Sequence, residues 1–287
     1  MPIEFFQVDD GTLIRQSFDS PTVYLDHWAI RFFSENIVSQ DRLVNALMST
    51  GGTLLLSNIS FAEFAGPIDP GHSRDAGAFV ERLLPNIYFT DFAFDKILER
   101  ERLEANNERR FWPSADVRQL KLFAECALDG ALNVGIKRLF EMAYLSGVAV
   151  GNLSESLINI IREALETARN DPAHVRKAKN LALSDGRPRT TMIMGELMRG
   201  FNLDGNSSFS NNDVMDFLHA VMPVNSCDYV LLDGPWVDRV NKMSQRMAKA
   251  GMTMPIAKCF SKGKNGGIEA FLASLETFTS PESRAVA

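Results

Sequence analysis

Two short apolar runs end in aspartate and pass straight into helix-like sequence: residues 21–26 (PTVYLD) and 229–233 (YVLLD). In the first, Val23, Tyr24 and Leu25 supply the β-branched and aromatic content of a buried strand, and Asp26 closes it. Residues 27–36 then read as a helix start, and 40–49 repeat apolar residues at helical spacing until Gly51-Gly52. Residues 53–56 form a second apolar strand, and 57–65 (SNISFAEFA) a strand-to-helix transition. This β-α-β-α order predicts a parallel sheet with crossover helices. The last third returns to it: a polar loop at 205–212, a helix over 213–223, the 229–232 strand, a turn at 233–236, a basic amphipathic helix over 237–250, a strand over 254–259 and a helix over 268–275.

The middle differs. Residues 79–84, 93–110, 115–144 and 153–169 are rich in Leu, Ala, Glu, Lys and Arg and read as helices, with 87–90 a short strand or loop. Breakers stand at 170–172 and 184–186, and no internal repeat is visible. The expected organisation is a core built from 1–70 and 201–287, with 71–200 a mostly helical insertion or subdomain.

Ligands of an open parallel sheet bind at the carboxyl ends of its strands. If the two Asp-terminated strands are neighbours, Asp26 and Asp233 share one edge. Glu63, Asp213 and Asp216 also stand near helix starts, the last two on one helix face. Converging carboxylates repel unless a divalent cation neutralises them, and oxygen-only ligands select Mg²⁺ or Mn²⁺ over zinc. Plainer roles stay open. Ser60-x-x-Glu63 matches a capping box, Asp213 suits a helix N-cap, and Asp216 suits the helix dipole. Asp228, at the opposite end of its strand from Asp233, reads as structural. His219 follows Asp216 by three residues, so it either touches phosphate or a carboxylate or is packed inside. Trp28 and Trp236 closely follow Asp26 and Asp233, to wall a cleft, to stack a base, or to be buried. No H-E-x-x-H, G-x-S-x-G or P-loop spacing occurs.

The net charge of −6 argues against a phosphate-rich partner only as a sum. Residues 1–70 carry 3 Lys/Arg against 9 Asp/Glu, whereas 239–264 hold Arg239, Lys242, Arg246, Lys249, Lys258, Lys262 and Lys264 and no acid. That stretch is the expected nucleic-acid-binding surface, with Arg176, Lys177, Lys179, Arg187 and Arg189 second. The alternative for both is a solvated face. A 45% hydrophobic content excludes a disordered chain. Three scattered cysteines (Cys126, Cys227, Cys259) exclude a disulfide framework, the N-terminus lacks a signal-peptide pattern, and apolar runs are shorter than a membrane span. A cytoplasmic protein with no membrane partner is expected.

Four segments together resemble the PIN-domain nuclease family: VYLDHWAI, SNISFAEF, NNDVMDFLHA and CDYVLLDGPW. The resemblance covers about 20–65 and 205–260, and the stretch between Glu63 and Asp216 is much longer than a minimal PIN domain holds. It implies a three-layer α/β/α fold with a central, mostly parallel sheet and a large helical insertion. It also implies metal-dependent hydrolysis of phosphodiester bonds, usually in RNA, with Asp26, Glu63, Asp216 and Asp233 as catalytic metal ligands and Asp213 as an additional ligand for Mg²⁺ or Mn²⁺. An inactive PIN-like scaffold that binds RNA or protein is the alternative. A haloacid-dehalogenase-like enzyme fits less well, since Trp28 stands where its second Asp belongs. Whether the insertion binds a ligand, covers the cleft or makes a homo-oligomer stays open, as does pairing with an antitoxin or other protein.

Overall fold

Successive residues of a strand point to opposite faces of its sheet, and here that alternation sorts the apolar side chains into two layers. The computed structural model describes residues 3–8, 11–64, 69–91, 94–104, 113–128, 135–179, 188–204, 209–252, 254–263 and 265–279. The expected breaker at 184–186, the loop residues 205–208, Arg187 and Lys264 lie outside them, as do the side chains of Cys126 and Lys177.

The chain begins with an antiparallel hairpin, β1 (Ile3–Val8) and β2 (Gly11–Gln16). Next come β3 (Thr22–Leu25), α1 (His27–Glu35), α2 (Ile37–Thr50), β4 (Thr53–Ser57), α3 (Asn58–Ala62), α4 (Pro70–Glu81) and β5 (Ile87–Thr90). A helical run follows: α5 (Phe94–Glu104), α6 (Val117–Leu128), α7 (Ile136–Leu145), α8 (Gly147–Asn170), α9 (Pro172–Lys179), α10 (Arg189–Leu197) and α11 (Arg199–Leu203). The end comprises α12 (Asn211–Ser226), β6 (Tyr229–Leu231), α13 (Gly234–Lys249), β7 (Lys258–Phe260) and α14 (Gly267–Glu276). No helix among the described residues is long and apolar enough to cross a membrane.

The central sheet has five strands in the order β5-β4-β3-β6-β7, and every pair is parallel. Val23, Leu25, Leu54, Leu56, Ile87, Phe89, Leu231 and Phe260 face one apolar layer with α1, α2, α4 and α14. Tyr24, Leu55, Tyr88, Val230 and Cys259 face the other, with α12 and α13. Helices thus cover both faces of the sheet, an α/β/α arrangement. The α2–β4 turn needs both its glycines: Gly51 caps α2 at φ +68°, and a Cβ on Gly52 would lie 2.6 Å from the Pro21 carbonyl oxygen.

The edge strand β5 pairs with β4 through Leu54–Ile87 to Ser57–Thr90, so the parallel sheet extends past residue 71, and the run of helices α5–α11 begins after Thr90. Those helices also join the core. Leu120, Phe123, Leu139 and Phe140 (α6, α7) pack in the first layer, and Ile158, Leu165, Ile193 and Phe201 (α8, α10, α11) in the second. The hairpin, unforeseen in the sequence, flanks β5: the Gln16 side-chain amide donates to the Phe89 carbonyl (3.0 Å) and accepts from its N–H (3.1 Å).

A buried polar network ties the helical run to the core. The Glu101 carboxylate on α5 accepts from the Thr190 N–H (2.9 Å), the Thr190 hydroxyl (2.8 Å) and the Asn225 amide (3.3 Å) on α12. The Arg189 guanidinium donates to the side chain and carbonyl of Asn225 and to the Pro255 carbonyl. Arg189, expected in a secondary basic surface, is therefore buried in the interior.

Candidate metal centre

From β3 the sheet grows one way through β4 and β5 and the other way through β6 and β7. The strand order thus reverses between β3 and β6, and the crevice at their carboxyl ends is where an open parallel sheet holds ligands. Asp26 and Asp233 flank that crevice. The Asp26 N–H donates to the Leu231 carbonyl (3.1 Å), extending the β3–β6 pairing, and its Oδ1 caps α1 by accepting from the His27 N–H (2.8 Å). Asp233 holds the N-cap position of α13 without a side-chain capping bond, which leaves its carboxylate to the crevice.

Glu63 arrives by a different route from the one its spacing suggests. The capping box of α3 joins Ser57 to Ser60, and Glu63 sits at the C-terminal end of that helix. Its carboxylate is therefore not spent on a helix N-terminus. Asp216 and His219, three apart on α12, complete the cluster. Ligand atoms of Asp26, Asp216 and Asp233 all lie within 4.8 Å of one another, and so do those of Asp26, Glu63 and His219. Asp26 belongs to both groups. The Trp236 indole, buried behind them, donates to Asp216 Oδ2 (3.1 Å) and serves as a wall.

His219 is 1% exposed, with Nε2 2.9 Å from Glu63 Oε2 and Nδ1 in contact with the Tyr24 hydroxyl. It is thus both packed inside and touching a carboxylate. Tyr24 was not singled out in the sequence, although it shares a strand face with Asp26, two residues on.

The electrostatics follow from burial and crowding. Burial, with Glu63 and Asp216 nearby, outweighs the attraction of His219 and pushes the Asp26 carboxyl up to about 7. Burial and then Asp233 raise Asp216 to about 6. Burial and Glu63 raise Asp233. Burial opposes charge on both members of the His219–Glu63 pair, but their mutual attraction wins. Glu63 is lowered, and His219 is raised to about 9. Four carboxylates thus share one imidazolium, and two of them hold protons well above the usual carboxylate range.

A pH dependence follows. A carboxyl raised in the folded state costs stability once the pH passes its unfolded value, here between 3.8 and about 7 for Asp26. His219, raised from 6.5 to about 9, contributes stability that is lost as the pH climbs through that window. The thermal midpoint of chelator-treated protein should fall between pH 6 and 9, and saturating Mn²⁺ should flatten the fall. A midpoint that rises over this range without metal would contradict the charge assignment.

The other expected residues are dispersed. Asp213 is not among the converging ligands: its carboxylate accepts from the Ser210 N–H (2.9 Å) and hydroxyl (2.6 Å) in a capping box in which Ser210, not Asp213, is the N-cap. Asp228 holds the opposite ends of the strands together, accepting from the Thr22 N–H (2.8 Å) and hydroxyl (2.9 Å). Lys258 opens β7 at that far end, with Nζ 3.2 Å from Ser274 Oγ. Lys262 stands at the mouth of the crevice, 5.4 Å from the Trp28 ring centre and close enough to favour the charged form of Asp233. Arg239, Lys242 and Arg246 line a groove of about 460 Å³ with Arg199, Phe201 and Pro235. Arg239 stacks on Phe201 at 3.9 Å, and Arg246 is engaged by Glu196. Lys249 is exposed at the end of α13. The described cations of the acid-free stretch thus stand on a helix, a strand and a loop, with Lys258 at one end of the strands and Lys262 at the other.

Comparison with family models, with curated proteins and with solved structures finds no match for this chain.

Proposed function

We propose that this chain is a Mg²⁺/Mn²⁺-dependent nuclease that hydrolyses phosphodiester bonds in RNA, with a PIN-like core. The observation that carries the reading is the convergence of Asp26, Asp216 and Asp233, with Glu63 beside them, at the carboxyl ends of β3 and β6. The parallel order β5-β4-β3-β6-β7 and the placement of each acid after its strand or on α12 support it as well.

The donor set fits a divalent cation. Three carboxylates within 4.8 Å provide hard oxygen ligands, and burial together with the neighbouring acids raises two of them, Asp26 and Asp216, so a cation would relieve the crowding. A bound cation supplies Lewis acidity at the scissile phosphate and lowers the pKa of an attacking water. Asp26, Asp216 and Asp233 would hold and orient that ion, with Glu63 beside Asp26. The Trp236 indole fixes the Asp216 carboxylate from behind. Lys262 at the mouth and Arg239 and Lys242 in the groove along α13 offer positive charge to the phosphates on either side. The half-buried Trp28 beside Lys262 offers a surface on which a base can stack.

The test is direct. Purified protein should cut single-stranded or structured RNA when Mn²⁺ or Mg²⁺ is added, EDTA should stop it, and Asp233→Asn should be inactive in the same assay. RNA binding without cleavage under any divalent cation would favour the scaffold alternative. Equal cleavage by Asp233→Asn and the parent would place the activity elsewhere.

A further inference from the structure

We propose that His219 is a metal ligand: through Nε2, together with Asp26 and Glu63, it forms a second cation position beside the oxygen-only one, with Asp26 shared between the two. The proposal rests on the metal-binding half of the function proposed above and adds to it an asymmetric pair of sites. The Asp26–Asp216–Asp233 group offers oxygen alone, whereas the Asp26–Glu63–His219 group offers two oxygens and an imidazole nitrogen.

The geometry carries this beyond a cluster of acids. His219 is 1% exposed, and its Nε2 faces Glu63 Oε2 as a buried ion pair in a geometry that makes no hydrogen bond, so both atoms stay open to a further partner beside Asp26. They are 2.9 Å apart. Adjacent ligands on an octahedral ion with bonds of about 2.1 Å stand about 3.0 Å apart, and opposite ones about 4.2 Å. The 2.9 Å spacing fits the first case, and the Asp26 ligand atom lies within 4.8 Å of both.

The far side of the ring is also prepared. Metal-bound histidines engage their second ring nitrogen with an oxygen partner, which fixes the tautomer and the ring plane. Here Nδ1 meets the hydroxyl of Tyr24, fully buried on β3. When Nδ1–H donates to the phenol oxygen, Nε2 presents its lone pair to Glu63 and Asp26. The imidazole ligates only as the neutral base, so its Nε2 proton passes to solvent as the cation enters.

Metal choice follows. Imidazole suits first-row transition metals, among which Mn²⁺ binds most weakly, whereas Mg²⁺ prefers oxygen and keeps its water. The oxygen-only position accepts either ion, whereas the His219 position discriminates against Mg²⁺ and takes Mn²⁺ in preference to it.

Mn²⁺ titration followed by calorimetry and pulsed electron paramagnetic resonance tests this. Parent protein should bind two Mn²⁺ per chain and show the hyperfine coupling of a directly bound nitrogen. His219→Gln should bind one Mn²⁺ and lack that coupling. Mg²⁺ added first should occupy one position and leave the nitrogen-coupled Mn²⁺ signal in place. If His219→Gln fails to fold, His27→Gln decides the matter, because it removes the other imidazole near Glu63 and must retain the coupling. Binding of Mn²⁺ with no nitrogen coupling would overturn the His219 site and leave the carboxylate site standing. No Mn²⁺ binding at all would remove both.

Discussion

Asp26→Asn should abolish metal-dependent cleavage while leaving metal-free protein at least as stable as the parent at neutral pH. Asp26 is common to both ligand groups, so no subset of the remaining donors replaces it. Loss of a residue that merely supports a metal ligand costs roughly 10–100-fold in affinity or activity. Loss of the shared ligand should therefore cost at least about 100-fold in cleavage rate, and Mn²⁺ should no longer raise the thermal midpoint by mass action. The stability half has a separate cause. Asparagine still offers an oxygen to the His27 N–H, so the cap on α1 survives. What disappears is a buried carboxyl raised to about 7 by desolvation and neighbouring acids, hence a charge the fold disfavours above that pH. At pH 8 without metal, the variant's midpoint should equal or exceed the parent's. An inactive variant that also melts earlier would point to simple misfolding.

Glu101→Ala should give a large loss of stability. The Glu101 carboxylate is buried and accepts three kinds of donor, two from Thr190 and one from Asn225. Truncation leaves the Thr190 N–H and the Asn225 amide short of acceptors and opens space among α5, α10 and α12. Breaking a buried charged network by removing one partner costs about 3–5 kcal/mol. At roughly 2–4 °C per kcal/mol for a domain of this order of size, the midpoint should fall by about 6–20 °C. Thr190→Val, which removes one hydroxyl but keeps the backbone donor and the volume, should cost less, about 1–2 kcal/mol. Comparable losses in the two variants would mean that the hydroxyl, not the carboxylate, holds the junction.

Much of the sheet was legible because its strands are short, uniformly apolar and punctuated. The segments around 21–26, 53–56 and 229–232 are strands at or near the expected bounds, since a strand buried on both faces reads as a continuous apolar run. Residues 87–90 stayed ambiguous for the same reason: IYFT alone carries no period, and only pairing with β4 decides it. The hairpin is not legible because its strands alternate weakly, with apolar residues side by side at Phe5-Phe6 and Leu13-Ile14. Asp26 and Asp233 were legible as strand-terminal acids. The fate of Glu63 and Asp213 was not, because both match capping patterns and only the actual helix start separates a cap from a free carboxylate. In α3 the start is Ser57, which releases Glu63; in α12 it is Ser210, which captures Asp213. The Tyr24–His219–Glu63 chain joins β3, α12 and the end of α3, a long-range meeting that no local spacing encodes.

The β3–β6 pairing also orders events during synthesis. Thr22 and Asp228, hydrogen-bonded to each other, are 206 residues apart. A nascent chain that has emerged only as far as β5 can pair β3 with β4, but the other side of β3 is then an unpaired edge of wholly buried residues, open to the wrong partner. Only when β6 arrives is that edge sealed, and Asp216 and Asp233 reach Asp26 within the same short stretch of translation. The step that protects the strand thus also assembles the ligand cluster, so an incomplete copy of the chain lacks the converged site.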